Sequence, residues 1–366
     1  MKKKYDIAAY VWPAFTGDEP RTKMFWTEGI GEWQTVKNAH TLGKKIDLRK
    51  PLWGYVNEAD PFVMEAEIEA ATSHGLNVFI YDWYWYDNRP FLENCLNNGF
   101  LKAQNRNKMK FYLMWANHDA NATWDIRLSD TSNIPIWQGA VNAQQFRTIG
   151  KRWLEKYFCL DCYYKIDGKP VISIYDLKNF VEGLGSLKDA KREMDWLENE
   201  AVKLGLGGIH YQFIKWGKHF LNFSGVDGGI KATPEEHIKA LGFSSMTHYQ
   251  FVHFADMNRP YSEIIPDVMT EWESIDKNYD IPYFPHVSVG WDNNMRYKSF
   301  RDCITTDNPP DMFEKMLLRA KEYSDTHNEV PLITINSWNE WTEKSYLEPD
   351  DIYGYGYLSA IKNVFL

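Results

Sequence analysis

The sequence predicts an α/β fold, a single (β/α)8 TIM barrel with elaborated loops after several strands. Short β-rich segments alternate with segments of helical periodicity over nearly all 366 residues, a pattern typical of parallel strands joined by crossover helices. Eight such units can be counted, the number in a (β/α)8 barrel. No low-complexity linker or internal repeat divides the chain, so residues 1–366 are predicted to form one catalytic domain.

The eight predicted strands are short and apolar or β-branched. They cover residues 5–10, 77–81, 110–115, 170–175, 208–213, 244–249, 283–289 and 332–336. Helix ends between them are recognisable. Asp60 before Pro61 is typical of an N-cap and first turn, and Gly75 indicates the end of that helix. Thr233 and Glu236 form a predicted capping box at the start of a later helix.

Three of the predicted strand-to-helix loops are long. They cover residues 11–59, 116–141 and 215–232, and the first, at about 11–59, is the longest. Barrel enzymes keep their active residues at the carboxyl ends of the strands. The sequence therefore predicts that polar residues after different strands meet at one mouth.

Charge and composition exclude several classes of function. The net charge of −9 argues against nucleic acid as a partner, and no stretch of 18 apolar residues predicts a membrane span. No glycine-rich phosphate loop or histidine cluster predicts a cofactor or a metal. The aromatic content of 16% suits a wet cleft for sugar rings.

Without a recognisable export signal the chain is predicted to be cytoplasmic, or periplasmic or secreted if a signal has been removed; the oligomeric state is unknown.

Two glutamates after the last strand are the predicted catalytic residues. The apolar segment 331–335 leads into Glu340 and Glu343, which are neighboured by Trp338 and Trp341. Large apolar rings raise the pKa of a carboxyl group by desolvation, and a second carboxylate separates the two pKa values further. One acid and one base can then coexist, as cleavage of a glycosidic bond requires. The alternative is a charged turn after a buried strand.

Other residues near the strand ends are predicted to bind substrate. They are Tyr10, Trp12, Asp82, Trp83, Trp115, Asn117, His118, Tyr249, Trp291, Asp292, Trp338, Asn339 and Trp341. Structural alternatives exist for several of them. Asp82 and Asp292 are also suited to capping the next helix, the indoles to packing at the mouth, and His118 to hydrogen bonding with neighbouring backbone.

Several segments together resemble the glycoside hydrolase family 99-like proteins, which include WbsX-type glycosyltransferases. The segments are Glu32-Trp33, Tyr84-Trp85-Tyr86, Trp115-Ala116-Asn117, and residues 166–170, 290–293 and 336–343. The resemblance implies a (β/α)8 barrel and, by similarity to endo-acting α-mannosidases and α-mannanases, retention through a 1,2-anhydro sugar. It implies that Glu340 is the base acting on the sugar 2-hydroxyl and that Glu343 is the acid/base.

The chain departs from the family at Lys344, where a glycine is usual. A cation there would favour the ionised form of a neighbouring acid. Three hypotheses therefore stay open: a retaining hydrolase of an α-linked, mannose-like glycan, a WbsX-type glycosyltransferase of surface-polysaccharide biosynthesis, and a non-catalytic glycan-binding barrel. The first requires both glutamates to face one sheltered cavity.

Overall fold

Eight parallel strands form a nearly closed barrel in the computed structural model, which describes residues 4–41, 47–128, 134–217 and 233–366. The strands are β1 (Asp6–Val11), β2 (Val78–Tyr86), β3 (Lys110–Trp115), β4 (Lys169–Ile174), β5 (His210–Ile214), β6 (Ser245–Thr247), β7 (His286–Ser288) and β8 (Leu332–Asn336). Their order around the sheet is β6-β5-β4-β3-β2-β1-β8-β7, and a single bridge between Met246 and Tyr283 links β6 to the segment before β7. The predicted fold class is confirmed.

Helices follow most of the strands and pack around the barrel. They are α1 (Trp33–Lys37), α2 (Pro61–Ser73), α3 (Ala143–Trp153), α4 (Leu177–Leu184), α5 (Leu187–Lys203), α6 (Pro234–Leu241), α7 (Tyr261–Asn278), α8 (Pro310–His327) and α9 (Gly356–Phe365). Asp60 caps α2 by accepting a hydrogen bond from Phe62 N. Thr233 and Glu236 form both bonds of the predicted capping box of α6. None of the described helices is long and apolar enough to cross a bilayer.

The second strand is longer than predicted. It continues to Tyr86 because Trp83 pairs with Trp115 of β3 and residues 84–86 pair with a short antiparallel strand, Arg89–Phe91. Asp82 therefore lies within the strand and does not cap a helix. Since successive side chains of a strand point to opposite faces, this extension decides which aromatic residues face the barrel mouth.

Polar side chains fill part of the barrel interior below the mouth. Tyr112 Oη and Ser173 Oγ both donate to Gln212, and the Thr334 hydroxyl lies 2.8 Å from Thr247 Oγ1 and 2.9 Å from His286 Nδ1. These side chains are fully buried, and their hydrogen bonds close the barrel beneath the mouth, although Gln212 Nε2 has no hydrogen-bond partner among the described residues.

The long loops lie at the carboxyl end of the strands, as predicted. The loop after β1 contains α1, and the loop after β3 contains a two-stranded hairpin, Ala120–Asn121 with Pro135–Trp137. The predicted 215–232 loop lies almost entirely outside the described residues, since only its first three residues are described.

Candidate active site

A cavity of about 450 Å³ opens at the mouth of the barrel, and Glu340 and Glu343 both line it. Their backbone forms a compact turn after β8. Asn339–Glu340 pairs with Ser345–Tyr346, and Trp341–Glu343 forms one 3-10 turn between these two short strands. The backbone N–H of Glu340 donates to Ser337 Oγ at 2.7 Å. The turn thus fixes both glutamates near the end of β8, with exposed fractions of only 4% and 9%.

Arg296 joins the two glutamates. Its Nη1 donates to Glu343 Oε1 at 2.6 Å and its Nη2 to Glu340 Oε2 at 3.3 Å, while Nε donates to Glu32 Oε1 at 2.9 Å. Glu32 is fully buried and also accepts a hydrogen bond from Trp12 Nε1. One guanidinium is therefore shared by three buried carboxyl groups, and it lies inside the cavity that holds the glutamate pair.

Burial and mutual repulsion dominate the electrostatics of the pair. Burial raises the pKa of Glu340 well above its ordinary value, and the charge of Glu343 raises it further, against the opposing effect of Arg296. Burial also raises the pKa of Glu343, and Arg296 opposes that rise. The guanidinium is closer to Glu343 than to Glu340, so in this arrangement a proton shared by the pair is held preferentially on Glu340. Such a pair titrates as a unit.

Tyr249 connects Glu340 to Asp82 across the cavity. Its hydroxyl oxygen lies 3.0 Å from Asp82 Oδ2 and 3.1 Å from Glu340 Oε1. A hydroxyl has a single proton, so both contacts are hydrogen bonds only when one of the carboxyl groups is protonated. Burial raises the pKa of Asp82 well above its ordinary value. Asp82, Tyr249 and Glu340 therefore form a chain of hydrogen-bond partners, in which the raised pKa values of the two carboxyl groups favour a proton on one of them.

Asp82 and Trp83, the two predicted substrate-binding residues of β2, point to opposite faces of the strand. Asp82 and Tyr84 line the cavity, whereas Trp83 points to the other face of the strand and donates its indole N–H to Glu93 at 2.8 Å. Trp83 also packs edge-on against Trp153 of α3. Its position beneath the helices differs from the predicted contact with substrate.

The same alternation applies to β3 and the residues after it. Met114, Ala116 and His118 line the cavity. Trp115 points outward and packs against aromatic rings of α3 and α4, and Asn117 exchanges hydrogen bonds with the backbone of Asp176. His118 is both a cavity residue and bonded to backbone, because its Nδ1 lies 2.9 Å from the Asp119 carbonyl.

Tyr10 and Trp12, the two predicted substrate-binding residues at the end of β1, lie at different depths relative to the cavity. Trp12 lines the cavity, and Tyr10 lies below it, with its ring 4.7 Å from that of Tyr249. The Tyr10 hydroxyl donates to the His248 carbonyl at 3.0 Å. Tyr10 therefore supports Tyr249 and does not line the cavity.

Trp291 and Asp292 lie behind the glutamate turn, outside the cavity. Asp292 Oδ1 accepts hydrogen bonds from the backbone and side-chain nitrogens of Asn294, and Oδ2 forms an ion pair with Lys344 Nζ at 3.1 Å. Asp292 thereby holds the 3-10 turn that carries Arg296. Asp292 caps no helix, because Asn293 is the N-cap of the following 3-10 turn and the next α-helix begins at Pro310. Lys344 adopts a left-handed backbone with φ of +49°, a conformation that suits the glycine usual in the family.

The charge of Lys344 is directed at Asp292 and away from the cavity. The glycan-binding hypothesis depended on Lys344 holding an acid in its charged form, and this geometry removes that reason for it. Among the described residues, the cation that contacts Glu343 is Arg296, which no pattern in the sequence indicated.

Trp338, Asn339 and Trp341 also lie outside the cavity. Their side chains are fully buried, and each donates a hydrogen bond to a buried glutamate. Of the predicted substrate-binding residues, the structure thus brings Trp12, Asp82, His118 and Tyr249 together around the glutamate pair.

The cavity contains further residues that were not predicted to bind substrate. Those with aromatic or polar side chains are Tyr84, Asp119, Asn121, Trp124, Tyr175, Asp176, Asn179, Trp216 and Arg296. Tyr84 could have been found from the sequence, since it lies two residues after Asp82 on the same strand. Arg296 has no comparable signal, because nothing in its local sequence indicates that a loop after β7 would bring it to Glu340.

Comparison with known proteins identifies the family of this chain. The chain matches the family described as Glycosyltransferase WbsX over residues 7–361. It is 23% identical over 377 residues to the uncharacterized protein WxcX of two Xanthomonas campestris pv. campestris strains, covering 97% of this chain. The chain spans about half the length of these curated relatives, 49%.

Solved structures share the fold. A glycoside hydrolase-like protein superposes with a TM-score of 0.64 at 15% identity, covering 100% of this chain and 94% of the other. The GH99 endo-alpha-mannosidase from Bacteroides thetaiotaomicron gives a TM-score of 0.55 at 13% identity, with coverage of 98% and 95%. At these identities the likeness concerns the barrel alone. The family match covers nearly the whole chain, which therefore belongs to the WbsX glycosyltransferase family.

Proposed function

We propose that this chain is a retaining glycoside hydrolase that cleaves an α-linked, mannose-like oligosaccharide or polysaccharide. The observation that carries the proposal is the position of Glu340 and Glu343, two buried carboxyl groups that line one cavity at the barrel mouth. The pair provides a base and an acid, and the cavity walls provide aromatic and polar side chains suited to sugar rings.

In the proposed first step Glu340 takes the proton of the sugar 2-hydroxyl while that oxygen attacks the anomeric carbon. The bond from the anomeric carbon to the leaving oxygen breaks, and Glu343 donates a proton to that oxygen. The product is a 1,2-anhydro sugar. An attacking oxygen held beside the anomeric carbon has the advantage of an intramolecular nucleophile.

In the second step water attacks the anomeric carbon and gives its proton to Glu343. The bond between the anomeric carbon and O2 breaks, and O2 takes its proton back from Glu340. Each step inverts the anomeric centre, so the α configuration is retained. Before the first step the shared proton has to lie on Glu343, and the chain from Asp82 through Tyr249 offers Glu340 a route for exchanging it.

The charge of the cavity favours hydrolysis over transfer from a sugar nucleotide. Among the described cavity residues there are five carboxyl groups, those of Asp82, Asp119, Asp176, Glu340 and Glu343, and one arginine, which is already bonded to three carboxylates. A diphosphate needs cations or free N–H donors. A neutral glycan suits this cavity better.

Hydrolysis with retention is the first expected result. Incubation with α-mannooligosaccharides or α-mannan should release reducing ends, and proton NMR of early time points should show the α-anomer before mutarotation. The physical reason is that two successive inversions restore the starting configuration. Initial release of the β-anomer would contradict the anhydro-sugar route, and no release from a panel of α-linked glycans would contradict hydrolysis.

Glycosyl transfer is the second candidate, and the family description favours it. Calorimetric titration with nucleotide sugars, GDP-mannose included, distinguishes the two. We expect no measurable binding heat, because the cavity repels a diphosphate, whereas α-mannooligosaccharides should bind to the Glu343→Gln variant. Tight binding of a nucleotide sugar, lost on addition of the free nucleotide, would favour the transferase.

A further inference from the structure

Three carboxyl groups meet beneath the glutamate turn. Glu58, Glu67 and Glu348 have exposed fractions of 0%, 1% and 3%, and each offers an oxygen within 4.8 Å of the others. They come from the loop after β1, from α2 and from the segment after the turn. None of them lines the cavity.

Each of the three accepts a hydrogen bond from a different residue of the turn. Trp338 Nε1 donates to Glu67 at 3.0 Å, Asn339 Nδ2 donates to Glu58 at 2.8 Å, and Trp341 Nε1 donates to Glu348 at 2.5 Å. These donors flank Glu340 on both sides along the chain. The orientation of the Glu340 side chain therefore depends on the cluster below it.

The cluster contains more negative charge than its surroundings balance. Within the described ranges, no lysine, arginine or histidine forms an ion pair with any of the three. The other titratable groups facing them are Cys95, whose Sγ lies 3.6 Å from Glu58 Oε2, and Tyr81 of β2, and neither is a cation. Glu67 Oε1 is buried and has no hydrogen-bond partner among the described residues.

Protons on these carboxyl groups would supply the missing balance. Burial raises the pKa of Glu58 to about 8, and it raises the pKa values of Glu67 and Glu348 well above their ordinary value. A protonated carboxyl group can donate to its ionised neighbour, and Glu67 Oε1 is a free position for such a proton or its acceptor. Three ionised groups at this separation would repel one another in a medium of low dielectric constant.

We propose that Glu58, Glu67 and Glu348 are positioning residues for Glu340, a proton-sharing carboxyl cluster that holds the turn in place and releases it when the cluster loses its protons. The effect of the cluster on catalysis rests on the proposed function, whereas its effect on the position of the turn does not. Carboxyl groups with raised pKa values stabilise the fold fully below their ordinary pKa of 4.5, and this stability is lost as the pH rises through their folded-state values.

Two substitutions of Glu67 test the proposal. Glu67→Gln keeps an acceptor for the Trp338 indole and removes one titrating group, whereas Glu67→Leu removes the acceptor as well. Glu69→Gln is the matched control, because Glu69 lies on the same helix, is exposed and pairs with Lys108 at the surface. Hydrogen exchange of residues 337–345 and the melting temperature are measured between about pH 5 and pH 9, with exchange corrected for its intrinsic pH dependence.

In the wild type, protection of residues 337–345 should fall as the pH rises, and the melting temperature should fall with it. Glu67→Gln should flatten both dependences, Glu67→Leu should weaken protection at every pH, and Glu69→Gln should match the wild type. If Glu67→Leu does not fold, the comparison of the pH dependence of Glu67→Gln with that of the wild type still tests the proposal. Wild-type protection that does not change with pH would overturn the proposal.

A bound cation is the competing account of the charge balance. Stabilisation by Ca²⁺ or Mg²⁺ that is reversed by EDTA and abolished in Glu67→Gln would overturn proton sharing. Neither hydrogen exchange nor melting needs a substrate, so both measurements test the carboxyl cluster even if the protein does not hydrolyse a glycan. With an active enzyme, Glu67→Gln should also move the alkaline limb of the kcat/KM profile to higher pH, which a purely structural role would not do.

Discussion

Replacing Glu343 by Gln should lower turnover of an α-linked oligosaccharide by a factor of about 10² to 10⁴, the usual contribution of a positioned acid/base. Gln keeps the size of the side chain and an acceptor for Arg296 Nη1, but it cannot donate a proton to the leaving oxygen. Binding should persist, because the cavity walls are unchanged. Steady-state rates give the first quantity and calorimetric titration with the same oligosaccharide gives the second.

The leaving group distinguishes the roles of the two glutamates. A substrate whose leaving group needs no proton, such as a glycosyl fluoride, should restore the first step in Glu343→Gln but not in Glu340→Gln, where the base is missing. The surface variant Glu69→Gln should retain wild-type rates on both substrates. Full activity of both active-site variants would contradict the proposed mechanism, and rescue of Glu340→Gln alone would mean that the two roles are exchanged.

The barrel could be predicted from the sequence because its signals are local. Each strand is a short apolar segment, and caps such as Asp60 and the Thr233–Glu236 box are set by residues within one helical turn. The position of the glutamate pair follows from the same logic, since Glu340 and Glu343 come directly after the last strand.

Which side chains face the cavity was predicted less well, because a one-residue difference along a strand reverses the face. Asp82 points inward and Trp83 outward, and a prediction that places both after the strand cannot separate them. The strand instead runs on to Tyr86.

Hydrogen bonds between residues far apart in the chain could not be predicted from the local sequence. Trp338 looked suited to stacking on a sugar, yet it donates to Glu67, 271 positions away in the chain. Arg296 reaches Glu32 across 264 positions. Only the closed barrel brings these pairs together, so neither contact could be predicted from spacing or residue type.

Replacing Arg296 by Met should lower the free energy of unfolding by about 3 to 5 kcal/mol at neutral pH, the typical cost of leaving a buried charge without its partner. Arg296 is largely buried, and its removal leaves Glu32, Glu340 and Glu343 without the guanidinium they share. Denaturant unfolding at pH 7 measures the loss. Arg301→Met is the matched control, because Arg301 lies on the same loop with an exposed side chain that contacts Tyr297.

The loss should depend on pH in a definite direction. Without the guanidinium, the pKa values of Glu340 and Glu343 rise further above their ordinary value, since Arg296 is the group that opposes their rise. Stability held by such groups is present below pH 4.5 and is lost as the pH rises, so the deficit should be smallest in acid and largest above neutrality.

A second substitution separates the ion pair from simple packing. If the orphaned charge of Glu32 causes much of the loss, adding Glu32→Gln to Arg296→Met should recover part of the stability, whereas Glu32→Gln alone should destabilise. Gln would still accept the Trp12 indole hydrogen bond. If the losses of unfolding free energy in the two single variants simply add in the double variant, Arg296 stabilises the protein by packing. The interpretation that it stabilises the glutamate pair electrostatically would then be wrong.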